Sequence, residues 1–436
     1  MVSIIINPSP AEWPALCRRA VTDDSIIEER VHTILQRIKA GGDSALRAIT
    51  EEIDGACPDD ILVSETEFER ASTLVNTELK EAITLAKSNI ERFHQAERPS
   101  SFNVETMPGV SCQRRWMPIS RVGLYIPGGS APLFSTILML AVPARLAGCP
   151  EVILCTPCNK AGEVNSVVLW TARLCGINTI YKLGGAQAIG AMAYGTETIR
   201  PVSKIFGPGN RYVTKAKQQV STESTAIDMP AGPSESMVLA DESASPSFIA
   251  ADMLSQAEHG PDSQAIVICP NKAMAESINA ELERQLALLP RATVADKALA
   301  NSRIIVFDTP DEAERLDLFV RFANAYASEH LLIETRDPWI IADGITAAGS
   351  IFIGHHSPES AGDYASGTNH TLPTMGYAKA YNGIGVDSFM HAITYQELSP
   401  EGLSRLSDTI IRMAEAEGLQ AHANAVRVRL ETKKEE

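Results

Sequence analysis

A few residue groups in this sequence have the types and spacing to do chemistry. Gln256 and His259 lie three apart at the end of an apolar stripe made by Ile249, Met253, Leu254 and Ala257. Residues three apart share one face of a helix. A neutral imidazole there is a good ligand for zinc or another borderline divalent metal, with Gln a weak partner. By spacing alone, the commoner meaning of such a pair is a solvated helix face. Glu329-His330 sets a carboxyl beside an imidazole. The two titrate in different ranges and suit two separate proton transfers, although an exposed polar dipeptide looks the same. Glycine-rich turns occur at Pro127-Gly128-Gly129, Gly184-Gly185 and Gly207-Pro208-Gly209. Such turns let backbone N–H groups and helix N-termini approach phosphates. They are also ordinary α/β turns, and no G-x-G-x-x-G follows a strand. Cys155 and Cys158 form a C-x-x-C, but a structural zinc site needs a second pair of ligands, which is missing.

These residues need elements to hold them. Ser245 can cap the Gln256 helix, Pro246 suits its first position, and Gly260-Pro261 end it. Residues 25–98 read as helical: Ile27, Val31, Ile34, Leu35 and Ile38 repeat with helical period, and Gly41-Gly42 stops that run. Ser64 with Glu67 makes a capping-box pattern before another helix. From about Val110 short apolar strands (RVGLYI, EVILCTP, TIYKL, KIFG) alternate with helical stretches. A second series (SMVLAD, AIVICP, RIIVFDT, SIFIG) repeats the pattern. This alternation predicts βαβ units and parallel sheets. After about Tyr381 the chain reads as helical and polar. That segment is too small and exposed to stand alone, so it should pack on something, a second subunit included.

Composition narrows the function classes. The chain has 436 residues, 44% hydrophobic and 21% charged, as in an ordinary globular protein. A net charge of −16 argues against nucleic acid or acidic lipid as partners, since both need a basic face. Lys433-Lys434, the one basic run, sits among glutamates and reads as a solvated tail. The start, MVSIIINPSPAEW, has no basic n-region, and no run is long enough to span a membrane. The eight cysteines are scattered, so reduced thiols and a cytoplasmic location are expected.

Several stretches together resemble the L-histidinol dehydrogenase family. They are VGLYIPGGSAPLFSTILM from Val122, LGGAQAIGAMAYGT from Leu183, FGPGNRYVTKAK from Phe206 and IDMPAGPSESMVLADESASPSFIAADMLSQAEHGPDSQ from Ile227. ASEHLLIET from Ala327, SPESAGDYASGTNHTLPT from Ser357 and EGLQAHANAV from Glu417 complete the set, in order along nearly the whole chain. The resemblance implies two doubly wound, incomplete Rossmann-like parallel-sheet domains with helical N- and C-terminal extensions. The expected boundaries are an extension over 1–24 and a domain over 25–125 plus 237–380 with the metal and catalytic residues. A domain over 126–236 would contribute the NAD site, and a helical segment over 381–436 would reach a partner subunit. The implied state is a homodimer.

The resemblance also assigns roles. One zinc per subunit would be held by Gln256, His259, Asp363 and His422. Without the resemblance, Asp363 reads as a turn residue and His422 as a helix-surface residue. His330 would take the alcohol proton and Glu329 would activate water. Ser234, His370 and Glu417 would bind substrate together with Gln256, His259, His330, Asp363 and His422. Tyr125, Gln187 and Asn210 would contact NAD. The implied reaction oxidises L-histidinol through the bound aldehyde to L-histidine, the last steps of histidine biosynthesis, with two hydride transfers to NAD. Zinc would act as a template that orients the carbinol carbon; manganese would fit the same donors. A thiolate route for the aldehyde step would fall to Cys112, but no base beside it is evident to activate it. Water activated by Glu329 is the expected route. The alternative is a related metal-dependent dehydrogenase of another alcohol, such as a sulfonated diol. It would keep the zinc and the Glu-His pair and change Ser234, His370 and Glu417.

Overall fold

The protein was analysed as a computed structural model that describes residues 1–19, 25–128 and 132–431. Strand β1 (Ser3–Ile6) and a single turn, α1 (Trp13–Leu16), precede the helices α2 (Ser25–Asp54), α3 (Glu65–Leu74) and α4 (Thr77–Ala96). Strands β2 (Phe102–Met107) and β3 (Val110–Pro118) lead into the first alternation. This is β4 (Arg121–Tyr125), α5 (Phe134–Ala147), β5 (Glu151–Thr156), α6 (Ser166–Leu174), β6 (Thr179–Lys182), α7 (Gly185–Tyr194), β7 (Lys204–Phe206), α8 (Arg211–Ser221) and β8 (Ala226–Ile227). The second is β9 (Glu235–Ala240), α9 (Pro246–Ala257), β10 (Gln264–Cys269), α10 (Lys272–Leu286), α11 (Ala292–Leu299), β11 (Arg303–Val306), α12 (Glu312–Tyr326), β12 (His330–Glu334), α13 (Pro338–Ala342), β13 (Ser350–Ile353) and α14 (Glu359–Tyr364). Strand β14 (Met390–Leu398) and helices α15 (Pro400–Ala416) and α16 (Gln420–Glu431) follow.

The apolar runs form two parallel sheets wound alike. One has the order β6-β5-β4-β7-β8, the other β1-β11-β10-β9-β12-β13. Apart from β1, each starts at a middle strand, adds two strands on one side, then crosses to add two on the other. This is a doubly wound topology with its switch point between β4 and β7 in one sheet and between β9 and β12 in the other. Near-continuous apolar strands suit sheets covered on both faces, and β4, β9, β10 and β12 are buried at every position. Among the described residues no helix is long and apolar enough to cross a membrane.

The helices of residues 25–96 depart from the expected grouping of 25–125 with 237–380. Val31, Leu35 and Ile38 of α2 share a core with Ile189 and Met192 of α7 and Val213 of α8. Phe68 of α3 and Ile83 and Ile90 of α4 pack with Ile137 and Leu138 of α5 and Leu169 of α6. These helices therefore cover the five-stranded sheet, of which β4 is the central strand. Periodicity finds a helix's apolar face, and only the fold decides what that face meets. The same holds for β1: expected within an extension, it pairs with β11 at the edge of the six-stranded sheet.

Local signals fare better. Ser64 and Glu67 form the capping box in both directions. The stop at Gly41-Gly42 is a kink inside α2, where Gly42 takes φ 52° and helix resumes beyond it. Ser245 sits at the N-cap of α9 but turns its hydroxyl to Ser247, and the helix ends at Ala257, before Gly260. The segment after Tyr381 is not all helical. Its residues 390–398 pair antiparallel with β3 in a three-stranded sheet, β14-β3-β2. Most of β14 is exposed, so no apolar period marks it, and its partner lies far back in the chain. Gly129 and Lys433-Lys434 lie outside the described residues.

Candidate active site

The amino ends of β9 and β12 collect most of the expected catalytic and ligand residues. Glu329 immediately precedes β12 and His330 begins it, Ser234 precedes β9, Gln256 lies in the last turn of α9 and His259 just past it. The short α14 places Asp363 opposite. His259 Nε2 lies 3.9 Å from Asp363 Oδ2 and 3.9 Å from Glu359 Oε1. His330 Nε2 lies 3.6 Å from Asp363 Oδ1, and its Nδ1 is 3.8 Å from both Glu329 Oε2 and Glu359 Oε1. His259, Glu359 and Asp363 bring one ligand atom each within 4.8 Å of one another.

Buried polar atoms here lack protein partners. Both amide atoms of Gln256, both ring nitrogens of His330, both oxygens of Glu359 and Nε2 of His370 are buried without a hydrogen bond among the described residues. Native proteins rarely leave such atoms unpaired, because each one costs desolvation energy. A cluster of them on a nitrogen and oxygen donor set fits a borderline divalent cation and a polar ligand.

The charge balance agrees. Glu235 also sits at this edge, but Arg19 holds it through two 2.7 Å contacts. Among the described residues Glu329, Glu359 and Asp363 have no Lys or Arg partner. Burial pushes the Glu329 and Glu359 carboxyls well above the usual range, with neighbouring carboxylates adding to it. Burial likewise raises Asp363 to about 7. The same burial drives His330 down to about 3 and His370 to about 4, so both rings are neutral near pH 7. A bound cation reverses the penalty on the carboxylates.

One consequence can be measured without substrate. Asp363 holds its proton in the fold up to about pH 7 and loses it near the ordinary value of 3.8 when unfolded. Between these values the folded state binds more protons, so stability falls as pH rises. Metal-free protein should lose unfolding temperature across that window relative to Asp363→Asn, and zinc should remove the difference. A difference that is flat with pH overturns the assignment.

Sequence reasoning missed Glu359. It lies four residues before Asp363 on α14, a spacing that puts both carboxyls on one helix face. It also missed Asp252, whose carboxyl accepts the Glu359 backbone N–H and meets the Glu334 carboxyl. Asp252 thereby joins α9, β12 and α14. Ser234 hydrogen-bonds Glu329 through its side chain. Glu417 and His422 stand apart: both are exposed, and His422 is outside the His259–Glu359–Asp363 group. Glu417 follows α15 and His422 lies on α16; the two helices pack on each other, and α15 also meets β14. Cys112 lies on β3 in the antiparallel sheet, and all eight cysteines are unbridged. Cys155 is buried, with its thiol pushed up to about 12, unsuited to binding a metal.

The second group lines a cavity of about 1220 Å³ at the carboxyl ends of the five-stranded sheet, where doubly wound folds bind their ligands. Tyr125 ends β4, and its hydroxyl accepts the Gly185 N–H at 3.1 Å. Gln187 is buried, donates to Asp54 at 3.0 Å and keeps its Oε1 without a partner. Asn210 caps α8 by accepting the N–H groups of Tyr212 and Val213. The glycines keep the turns thin: a Cβ on Gly128 would meet Pro157 at 2.2 Å. The cavity has the size and bare backbone that a dinucleotide needs.

The link from Ile227 of β8 to Glu235 of β9 is the seven residues 228–234. Its eight Cα steps span at most ~29 Å when extended, which bounds how far the end of β8 lies from the edge bearing Glu329 and His330.

Comparisons with known proteins agree with one another. The family model for histidinol dehydrogenase matches residues 17–430. The chain is 52% identical over 430 residues to the histidinol dehydrogenase of Bacteroides fragilis strain YCH46, covering 99% of each chain. It is 51% identical over 434 residues to that of Bacteroides thetaiotaomicron, covering 100% of each. The crystal structure of histidinol dehydrogenase from Elizabethkingia anophelis superposes with a TM-score of 0.95 at 48% identity, over 99% of each chain.

Proposed function

The chain belongs to the histidinol dehydrogenase family, and from that premise we propose that it oxidises L-histidinol to L-histidine with NAD and a divalent metal, best fitted by zinc. One observation carries the reading. Unpartnered buried donors and acceptors of Gln256, His330, Glu359 and His370 converge with His259 and Asp363 one short link away from a dinucleotide-sized cavity.

Gln256, His259 and Asp363 would hold the metal, with His422 of the partner subunit completing the set in a homodimer. Bound there, the metal would supply positive charge and a template for the substrate's imidazole and amine. NAD, held along Tyr125, Gln187 and Asn210, would supply the hydride acceptor.

The protein's own residues move the protons. His330 is buried and neutral, so a ring nitrogen can accept the hydroxyl proton as hydride leaves the carbinol carbon for NAD. The carboxyls of Glu329, Glu359 and Asp363 within 4 Å then stabilise the imidazolium. In the second oxidation Glu329 takes a proton from water as it adds to the aldehyde carbon, and hydride leaves the resulting hydrate. With the bound cation's charge offsetting the burial that would keep it protonated, Glu329 can act as a carboxylate base there. Ser234 holds Glu329 from the link side, and His370 lines the substrate's place.

The test follows NADH absorbance with L-histidinol in native, chelated and zinc-restored protein. Two NADH per histidine, lost on chelation and regained with zinc, is expected. Metal-dependent oxidation of another alcohol but not histidinol sinks the substrate assignment. Full turnover without metal sinks the ligand set.

A further inference from the structure

A buried ion pair ties the turn that carries Asn210 to the link that carries Ser234. Lys217 points in from α8, and Asp228 follows β8. Lys217 Nζ lies 2.5 Å from Asp228 Oδ1, and the two side chains are only 6% and 2% exposed. Each also grips the same residue, Gly207. Lys217 donates to the Gly207 carbonyl at 2.8 Å, and Asp228 Oδ2 accepts the Gly207 N–H at 2.8 Å. Gly207 itself takes φ +121°, and a Cβ there would sit 2.1 Å from the Tyr125 carbonyl oxygen. The turn is therefore pressed against the end of β4 and clamped on both polar sides.

The other end of the link is fixed as well. Asp228 Oδ1 also accepts the Met229 N–H at 2.8 Å. Gly232 donates its N–H to Thr374 at 2.6 Å, four residues from His370, and Glu235 donates its N–H to Glu329 at 3.0 Å. The link is thus hydrogen-bonded to the cofactor turn at Asp228, to Thr374 at Gly232, and beside its far end Glu235 holds the Glu329 carboxyl. Burying an ion pair is costly, and neutral groups could have satisfied Gly207 alone. What the pair adds is that one carboxylate holds the turn and the link at once.

We propose that Lys217 and Asp228 are positioning residues that lock the Gly207–Asn210 turn against the 228–234 link and so set the cofactor's distance from the substrate carbon. The inference rests on the reading of the cavity as the NAD site. Hydride transfer is steep in distance: a displacement of ~1 Å at a reacting centre costs ~10²-fold in rate.

Lys217→Met leaves a buried carboxylate unpaired and can fail to fold, so the decisive variant is Lys217→Met with Asp228→Asn, which removes both charges and keeps an acceptor for Gly207. In zinc-loaded protein, NAD affinity by equilibrium dialysis should weaken ~10-fold and kcat should fall ~10²-fold if the ring is displaced by ~1 Å. The isotope effect with histidinol deuterated at the carbinol carbon should grow, because hydride transfer becomes rate-limiting. Zinc affinity and the KM for histidinol should stay at wild-type values. A folded double variant with unchanged NAD affinity and kcat overturns the inference. So does a parallel loss of NAD, histidinol and zinc binding, which marks the pair as structural only. Wild-type protein that binds no NAD overturns the cofactor reading, and this inference with it.

Discussion

Replacing His330 with Asn lowers kcat for histidinol oxidation by ~10²–10⁴-fold, the range that a lost general base costs. Zinc affinity stays close to wild type, because His330 is outside the proposed ligand set. The residual rate of the variant rises with pH more steeply than that of wild type, since the alkoxide no longer needs a base. Stability moves the opposite way from a lost core contact. Wild type keeps an uncharged imidazole buried, with its pKa depressed from 6.5 to about 3. As pH falls through that range the unfolded chain takes up a proton that the fold refuses, so wild type loses stability. The variant escapes this loss and should unfold at a higher temperature than wild type at pH 4–6. A variant with near-normal kcat, or one equally acid-sensitive, removes His330 from the mechanism.

The second large effect concerns the metal. His259→Ala and His422→Ala should each weaken zinc binding by more than the ~10–100-fold that a group merely supporting a ligand costs, and each should abolish turnover. Mixing the two inactive proteins distinguishes where His422 acts. In a symmetric homodimer with a shared site, the mixed dimer has one site with both histidines intact and one with neither. A 1:1 mixture that exchanges subunits freely should recover about one quarter of wild-type activity. If His422 completed the site of its own chain, no site in any mixture would be whole and nothing would be recovered. The exposed position of His422 on α16, outside the His259–Glu359–Asp363 group, favours the shared arrangement.

Some of this molecule is written locally and some is not. The alternation of short apolar strands with periodic helices fixes two parallel sheets, because strand burial and helical period are properties of neighbouring residues. The capping box at Ser64 and Glu67 formed as its spacing predicts, since both hydrogen bonds lie within one turn. Motif resemblance supplied the proposed roles of Glu329, His330 and Asp363, which spacing would have left as polar surface.

What the sequence could not fix is which distant surfaces meet. The helical face of residues 25–96 was legible, but not that it covers the five-stranded sheet. Strand β14 has too little apolar contrast to announce itself and depends on β3 for every ladder bond. Glu359 was within a quoted motif, yet its importance lies in facing His259 and His330, residues 100 and 29 positions away. Asp228 looks like a turn aspartate until Lys217 and Gly207 are seen on either side of it. Propensity and periodicity act over a few residues and are readable in order. Proton affinities, unpaired donors and buried ion pairs depend on solvent exclusion and on charges brought together from far along the chain, and only the folded protein sets those.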